Sequence, residues 1–591
     1  MKEFFKYVLA TVVGLIVFGL FIAIFGIMSL VGVVASGQST QNVSKNTVLV
    51  MNLDGTIEEQ SQTDMFAAIT GSGTSSTGLN EIIDAIKKAK NNDNIKGIYI
   101  EAGTPMTSYA TLQEIRNALS DFKKSGKWIV AYGDSYTQGA YYVASVANKV
   151  YMNPSGMLDI HGIAAQPMYL KDLLGKVGVR YEVVKVGTFK SATEMYTETQ
   201  MSEANREQTT AYVNGLWANV VKAISGSRKL TTDSINSYAD KLIAFDSAEN
   251  MVKYKLIDKL LYTDEVKAEV KKLLKIDEDK SINQIGISDM QYVKSEKRKG
   301  DEIAVYYAYG TIVEEPVSGL MSQEHSIVAK EVCEDLNKLA DDENVKAVVL
   351  RVNSPGGSAY ASEQLWRSVM KIKEKKPVVV SMGDYAASGG YYMSCAADWI
   401  VAQPTTLTGS IGIFGAFPDA SELATKKLGL HFDEVKTNRN STFGSIYARP
   451  INAEERNILQ NYINEGYFLF RQRVADGRKQ TTEDIEKIAQ GRVWLGQDAI
   501  GIKLVDQLGG LDDAVEKAAK LAKLDEYHTA DYPGSLSFVD QLMQVTGSKG
   551  NYLDDKMKLT LGELYQPFLE LQTLSQQEPI QARLPFYPNI R

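Results

Sequence analysis

The chain has 591 residues, too many for one ordinary hydrophobic core, so its length alone predicts two or more domains. Hydrophobic residues make up 44% and charged residues 23%, a globular balance that excludes a largely disordered chain. A net charge of -8 with no Lys/Arg block among aromatics excludes a nucleic-acid partner, and two cysteines (Cys333, Cys395) with four scattered histidines offer no disulfide framework, metal cluster or cofactor site.

The first element is apolar. From Tyr7 to Ser36 there is no charged residue, a run longer than the roughly 20 residues that cross a bilayer and longer than the apolar core of a cleaved signal peptide, about 7 to 15 residues. Residues 7–36 are expected to form an uncleaved transmembrane anchor. Lys2 and Lys6, in the short segment 1–6, predict a cytoplasmic N-terminus and a body on the other side of the membrane. In a bacterium that means a single-pass protein of the inner (cytoplasmic) membrane with a periplasmic or otherwise extracytoplasmic body.

After the anchor the chain repeats itself. "DNIKGIYIEAGTP" (93–105) reads against "ENVKAVVLRVNSP" (343–355), and "KWIVAYGD" (127–134) against "KPVVVSMGD" (376–384), both offset by 250 residues. "DGTIEE" against "YGTIVEE" and "KLIDKL" against "KLVDQL" keep the register at either end. The chain therefore carries two tandem copies of one domain, over 47–295 and 296–525. Within each, β-branched runs such as "IKGIYIEA" alternate with amphipathic stretches such as "ASEQLWRSVMKIKEKK", the rhythm of an α/β domain. Residues 526–591, with a helical "LTLGELYQPFLELQTL", read as a C-terminal extension that packs or partners rather than catalyses.

The differences between the copies carry the chemistry. "GDYAASGGYY" (383–392) places Ser388 at a strand-to-helix turn, where backbone amides can face a developing oxyanion. The other copy reads "GDSYTQGAYY" (133–142), with Gln138 at that position. Upstream, "NSPGGS" (353–358) has Gly356 and Gly357 where the first copy has Met106 and Thr107. The copy that lacks the serine also lacks the glycines, as a decayed active site would. A serine hydroxyl needs a base. Lys190 of "VGTFKSATE" is in the first copy, and aligning Lys185 with Lys436 sets Ser441 opposite it. Either the site is built across the copies, or Lys436 serves within the second.

These segments resemble the long, duplicated form of signal peptide peptidase A (protease IV), a Ser/Lys peptidase family of the Clp-protease and crotonase superfamily. The resemblance covers the anchor and nearly all of 47–525, and rests on "RVNSPGGSAYASE", "MGDYAASGGYYMSCAADWIVAQPTTLTGSIGIFG", "VGTFKSATE" and "IAQGRVWLGQDA". It implies a tandem Clp-protease/crotonase-like fold, Ser388 as nucleophile, Lys190 as general base, Ser410 as the hydrogen-bond partner of that lysine, and the amides of Gly357 and Gly389 as oxyanion hole. It also implies apolar peptide substrates, such as signal peptides left after export, and a homo-oligomer resembling a tetrameric ring. One departure is Met195, where the family has proline after the glutamate.

An ordinary lysine, with a pKa of about 10.4, is neutral in only about one molecule in 2,500 at pH 7. Lys190 is therefore expected to be buried, with a hydroxyl partner and with Glu194 turned away. Two other readings of the same fold are a catalytically silent scaffold that binds membrane proteins and a crotonase-type acyl-CoA enzyme. The intact serine, glycine and lysine set argues against the first, and the anchor, which puts the body away from cytosolic acyl-CoA, against the second.

Overall fold

The computed structural model describes residues 6, 14, 18, 42–61, 76–293, 299–316, 325–534 and 580–583. The expected span over 7–36 and the helical reading of the C-terminal extension thus lie outside the described residues, apart from isolated positions. No helix among the described residues is long and apolar enough to cross a membrane.

Two sheets repeat one another. In the first, strands run in the order 283–286, Thr47–Glu58, Ile95–Met106, Trp128–Gly133, Lys149–Met152 and Lys259–Leu260, all parallel. In the second, the order Tyr527–Tyr532, Asp301–Tyr309, Val345–Ser354, Val378–Ala387, Trp399–Ala402 and Gln507–Leu508 is the same, and again parallel. The strand Tyr527–Tyr532 matches Asn283–Gly286, so the second copy reaches beyond 525, and its edge strand comes from the segment read as an extension.

Parallel strands covered on both faces read as continuous apolar runs, and Val378–Ala387 is buried at every residue but Tyr385. Helices cover them with one apolar stripe each. Leu79–Asn91 buries Leu79, Ile82, Ala85, Ile86 and Ala89, and its counterpart Ala329–Asp341 buries Ala329, Val332, Leu336, Leu339 and Ala340. The offset of 250 persists in the long helices Glu203–Arg228 and Ala453–Arg478, each capped by its preceding polar residue, Ser202 or Asn452.

The copies meet along two features. One is a buried polar seam. Arg351 of the second copy, 1% exposed, bonds Glu59 (2.8 Å) and Glu114 (2.8 Å) of the first, while Asp384 accepts the backbone N–H of Thr111 (2.9 Å). The other is a third sheet, ordered Ser326–Val328, Thr311–Val313, Gly356–Ser358, Ile580–Arg583, Phe414–Asp419, Arg180–Lys185. Its last pair is antiparallel and joins the copies directly, from Lys185 opposite Phe414 to Arg180 opposite Asp419.

Candidate active site

Ser388 sits between the strand Val378–Ala387 and the helix Gly389–Ser394, at φ +53° and ψ -113°. A non-glycine residue held there costs on the order of 1–3 kcal/mol and persists only where its surroundings fix it. Here the N–H of Ser388 donates to the carbonyl of Gly409 (2.8 Å), and the N–H of Tyr392 to the carbonyl of Ser388 (2.8 Å). The strain turns the serine side chain out of the strand toward the seam between the copies.

What meets it is Lys190, five residues past the cross-copy strand. Its Nζ lies 2.8 Å from Oγ of Ser388, 3.0 Å from Oγ of Ser410 and 3.2 Å from the carbonyl oxygen of Ser410. All three residues are completely buried. Burial holds the Lys190 ammonium well below its ordinary range, and no carboxylate opposes it. Glu194, buried itself, is spent elsewhere: it accepts from Oγ of Ser202 (2.6 Å) and Nδ2 of Asn205 (2.9 Å).

The two glycines upstream leave no room for side chains. Gly356 has φ +100°, and a Cβ there would come within 2.7 Å of the amide nitrogen of Gly389; one on Gly357 would come within 1.9 Å of the carbonyl oxygen of Ile312. The backbone of both glycines therefore packs directly against the serine turn and its neighbouring strand. In the first copy Met106 is 57% exposed, and Gln138 fills the turn. The Gln138 amide donates to the hydroxyl of Tyr109 (2.7 Å) and the carbonyl of Gly162 (3.0 Å), and accepts the N–H groups of His161 and Gly162. That site is plugged.

Lys436 faces solvent and pairs with Glu434, and Ser441 lies in the same exposed stretch. None of the four histidines bonds Ser388: His161 pairs with Asp159, His325 with the carbonyl of Tyr309 and His528 with that of Gly300, and His431 is exposed. Cys395 is buried with its thiol pushed up to about 12 by that burial, so it is not a reserve nucleophile.

Sequence reasoning leaves one residue of the site unnamed. Gly491, at φ +81°, packs on Lys190: a Cβ there would come within 2.6 Å of the lysine Cβ and 2.7 Å of its backbone nitrogen. Gln490, beside it, accepts the N–H of Phe189 (2.9 Å). The signal is the glycine in "IAQGRVWLGQDA", which marks a close backbone approach without saying to what.

Comparison with known proteins agrees with this construction. The model of peptidase family S49 matches residues 121–277 and again 370–525, once in each copy, and that of Clp protease matches 299–405. The chain is 36% identical over 547 residues to Protease 4 of Salmonella typhi, covering 89% of this chain and 87% of that one. It is 33% identical over 515 residues to Protease 4 of Haemophilus influenzae (84% and 82% covered). To the chloroplastic serine protease SPPA of Arabidopsis thaliana it is 30% identical over 489 residues (82% and 70% covered). With one S49 domain in each copy of a Clp-protease-like α/β fold, the chain belongs to peptidase family S49, in the duplicated form of signal peptide peptidase A, and is a serine peptidase.

Proposed function

We propose that the protein is a membrane-anchored endopeptidase working by a Ser/Lys dyad split between its two copies, with remnant signal peptides as substrates. One observation carries the reading: the amine of Lys190 and the hydroxyl of Ser388 are 2.8 Å apart, both fully buried and away from any carboxylate. A neutral amine at that distance takes the serine proton as Oγ attacks a peptide carbonyl, then returns it to the leaving amine. Ser410 holds the amine in line. The amides of Gly357 and Gly389 receive the oxyanion.

The charge-free run over 7–36, preceded by Lys2 and Lys6, supports an anchor in a bacterial inner membrane with the body outside the cytoplasm. Such a body meets exported signal peptides where they are left, in the membrane. A homo-oligomeric ring that encloses the sites would keep water from the lysine. The exposed side chains of Leu428, Leu430, Phe432, Val435, Ile458 and Tyr462 offer it an apolar face.

The test is labelling of the detergent-solubilised full chain with a fluorophosphonate, followed by hydrolysis of an apolar signal peptide. Labelling at Ser388, abolished in Ser388→Ala together with hydrolysis, is expected. Equal labelling and hydrolysis in the Ser388→Ala chain would overturn the assignment.

A further inference from the structure

The third sheet has a strand whose presence needs explaining. Ile580–Arg583 runs antiparallel to Gly356–Ser358 on one side, with Ala582 opposite Gly357, and antiparallel to Phe414–Asp419 on the other, with Gln581 opposite Phe414. Without it the sheet falls into two parts separated by a slot one strand wide, since neighbouring strands lie about 4.8 Å apart. Both walls of that slot then present unpaired backbone groups, the arrangement that captures an extended peptide by strand addition. One wall carries Gly356 and Gly357.

The seating is specific at one residue. The carbonyl oxygen of Ala582 lies 2.1 Å from where a Cβ of Gly356 would be and 3.2 Å from where a Cβ of Gly389 would be, so it points at the turn that holds Ser388. The Ala582 side chain is completely buried in the core of the second copy, and Gln581 is 7% exposed. A strand that only covered an edge would have no reason to deliver a carbonyl to a nucleophile.

We infer that this active site takes the chain's own C-terminal segment as a substrate and cuts it between Ala582 and Arg583, an inference that rests on the Ser/Lys reading above. Oγ of Ser388 attacks the carbonyl carbon of Ala582 while its proton passes to Nζ of Lys190. The tetrahedral adduct collapses with cleavage of the bond to the Arg583 nitrogen, which takes that proton and leaves as residues 583–591. A solvent water, deprotonated by the same amine, then hydrolyses the Ala582 ester and restores the serine. The pocket that receives Ala582 defines a preference for a small residue before the cut.

Intact mass spectrometry of the full chain, purified in detergent, tests this, with an added apolar peptide assayed in parallel. The wild-type chain is expected to end at Ala582, at a rate independent of its concentration, and Ser388→Ala to keep residues 583–591, slowed by more than about a thousandfold. Ala582→Arg, whose side chain does not fit a fully buried position, is also expected to keep them. A synthetic peptide spanning 578–591 should be cut at the Ala–Arg bond alone. A wild-type chain that cleaves the added peptide yet keeps Arg591, or is trimmed elsewhere, would overturn the inference and leave the peptidase reading standing. Trimming that accelerates with concentration would overturn the intramolecular geometry. A chain inert toward both its tail and the added peptide would overturn the peptidase reading, and the inference with it.

Discussion

Lys185 stands opposite Phe414 at the inner end of an antiparallel ladder that ties the first copy to the second. Five residues on, the amine of Lys190 is at the hydroxyl of Ser388. The ladder is what makes a divided site workable, because it fixes the lysine loop of one copy to the backbone that flanks the serine turn of the other. Ser410, between that strand and the serine, belongs to the same backbone, and its N–H donates to the carbonyl of Arg492 (2.7 Å).

Gly491 should be as sensitive as the dyad while touching neither substrate nor serine. A Cβ there meets Lys190 backbone atoms that cannot move aside, and the residue has φ +81°. Gly491→Val is expected to lower kcat by about a hundredfold through displacement of the amine by a fraction of an ångström. Gly491→Ala should fall between it and the wild type. Steady-state kinetics on a fluorogenic peptide check this; an unaltered kcat in Gly491→Val would show that the lysine does not depend on this contact.

Restoring the serine of the first copy should not restore a site. Gln138→Ser leaves Met106 and Thr107 where the glycines are needed and has no lysine facing it. It also strips bonds from Tyr109, His161 and Gly162. The expected outcome is no gain in turnover and a loss of about 1–3 kcal/mol in stability from newly unsatisfied buried groups. In a Ser388→Ala background, measurable hydrolysis on adding Gln138→Ser would contradict it.

Lys190 makes stability depend on pH in a predictable direction. Its folded pKa lies well below its ordinary value, so between the two the unfolded chain binds the extra proton. The native state is penalised fully below the folded pKa, and the penalty disappears as pH rises toward about 10.4, at up to about 1.4 kcal/mol per unit. Lys190→Met removes the titration. The variant is therefore expected to be the more stable chain at neutral pH, with an advantage that shrinks as pH rises. Denaturation of both chains from pH 6 to 10 checks the sign; an advantage that grows with pH would mean the lysine is held charged.

The duplication is legible in the sequence because parallel βαβ units are encoded locally, in apolar runs and helical stripes that survive at a fixed offset of 250. Ser388 and Lys190 are legible as complementary gains and losses between the copies, and the structure sets them side by side. The third sheet is not legible. "RYEVVK" and "FGAFPD" are ordinary short runs whose pairing joins residues more than 200 apart, and such a ladder is decided by where the two copies dock. The same holds for Ile580–Arg583, four residues with no pattern of their own, whose strand state comes from the slot they enter. Tyr527–Tyr532 escapes for a related reason: it pairs with the first strand of its copy, and the repeat is weakest at that edge.

The most direct test of the divided site is a double-mutant cycle on kcat/KM for an apolar fluorogenic peptide, using Ser388→Ala, Lys190→Ala, the double variant and Lys436→Ala. Groups acting as one unit are not additive, so each single variant is expected to lose at least about a thousandfold and the double variant no more than either. Lys436→Ala, exposed and paired with Glu434, should keep most of its activity. Near-normal turnover in Lys190→Ala together with loss in Lys436→Ala would put the base inside the second copy and contradict the account.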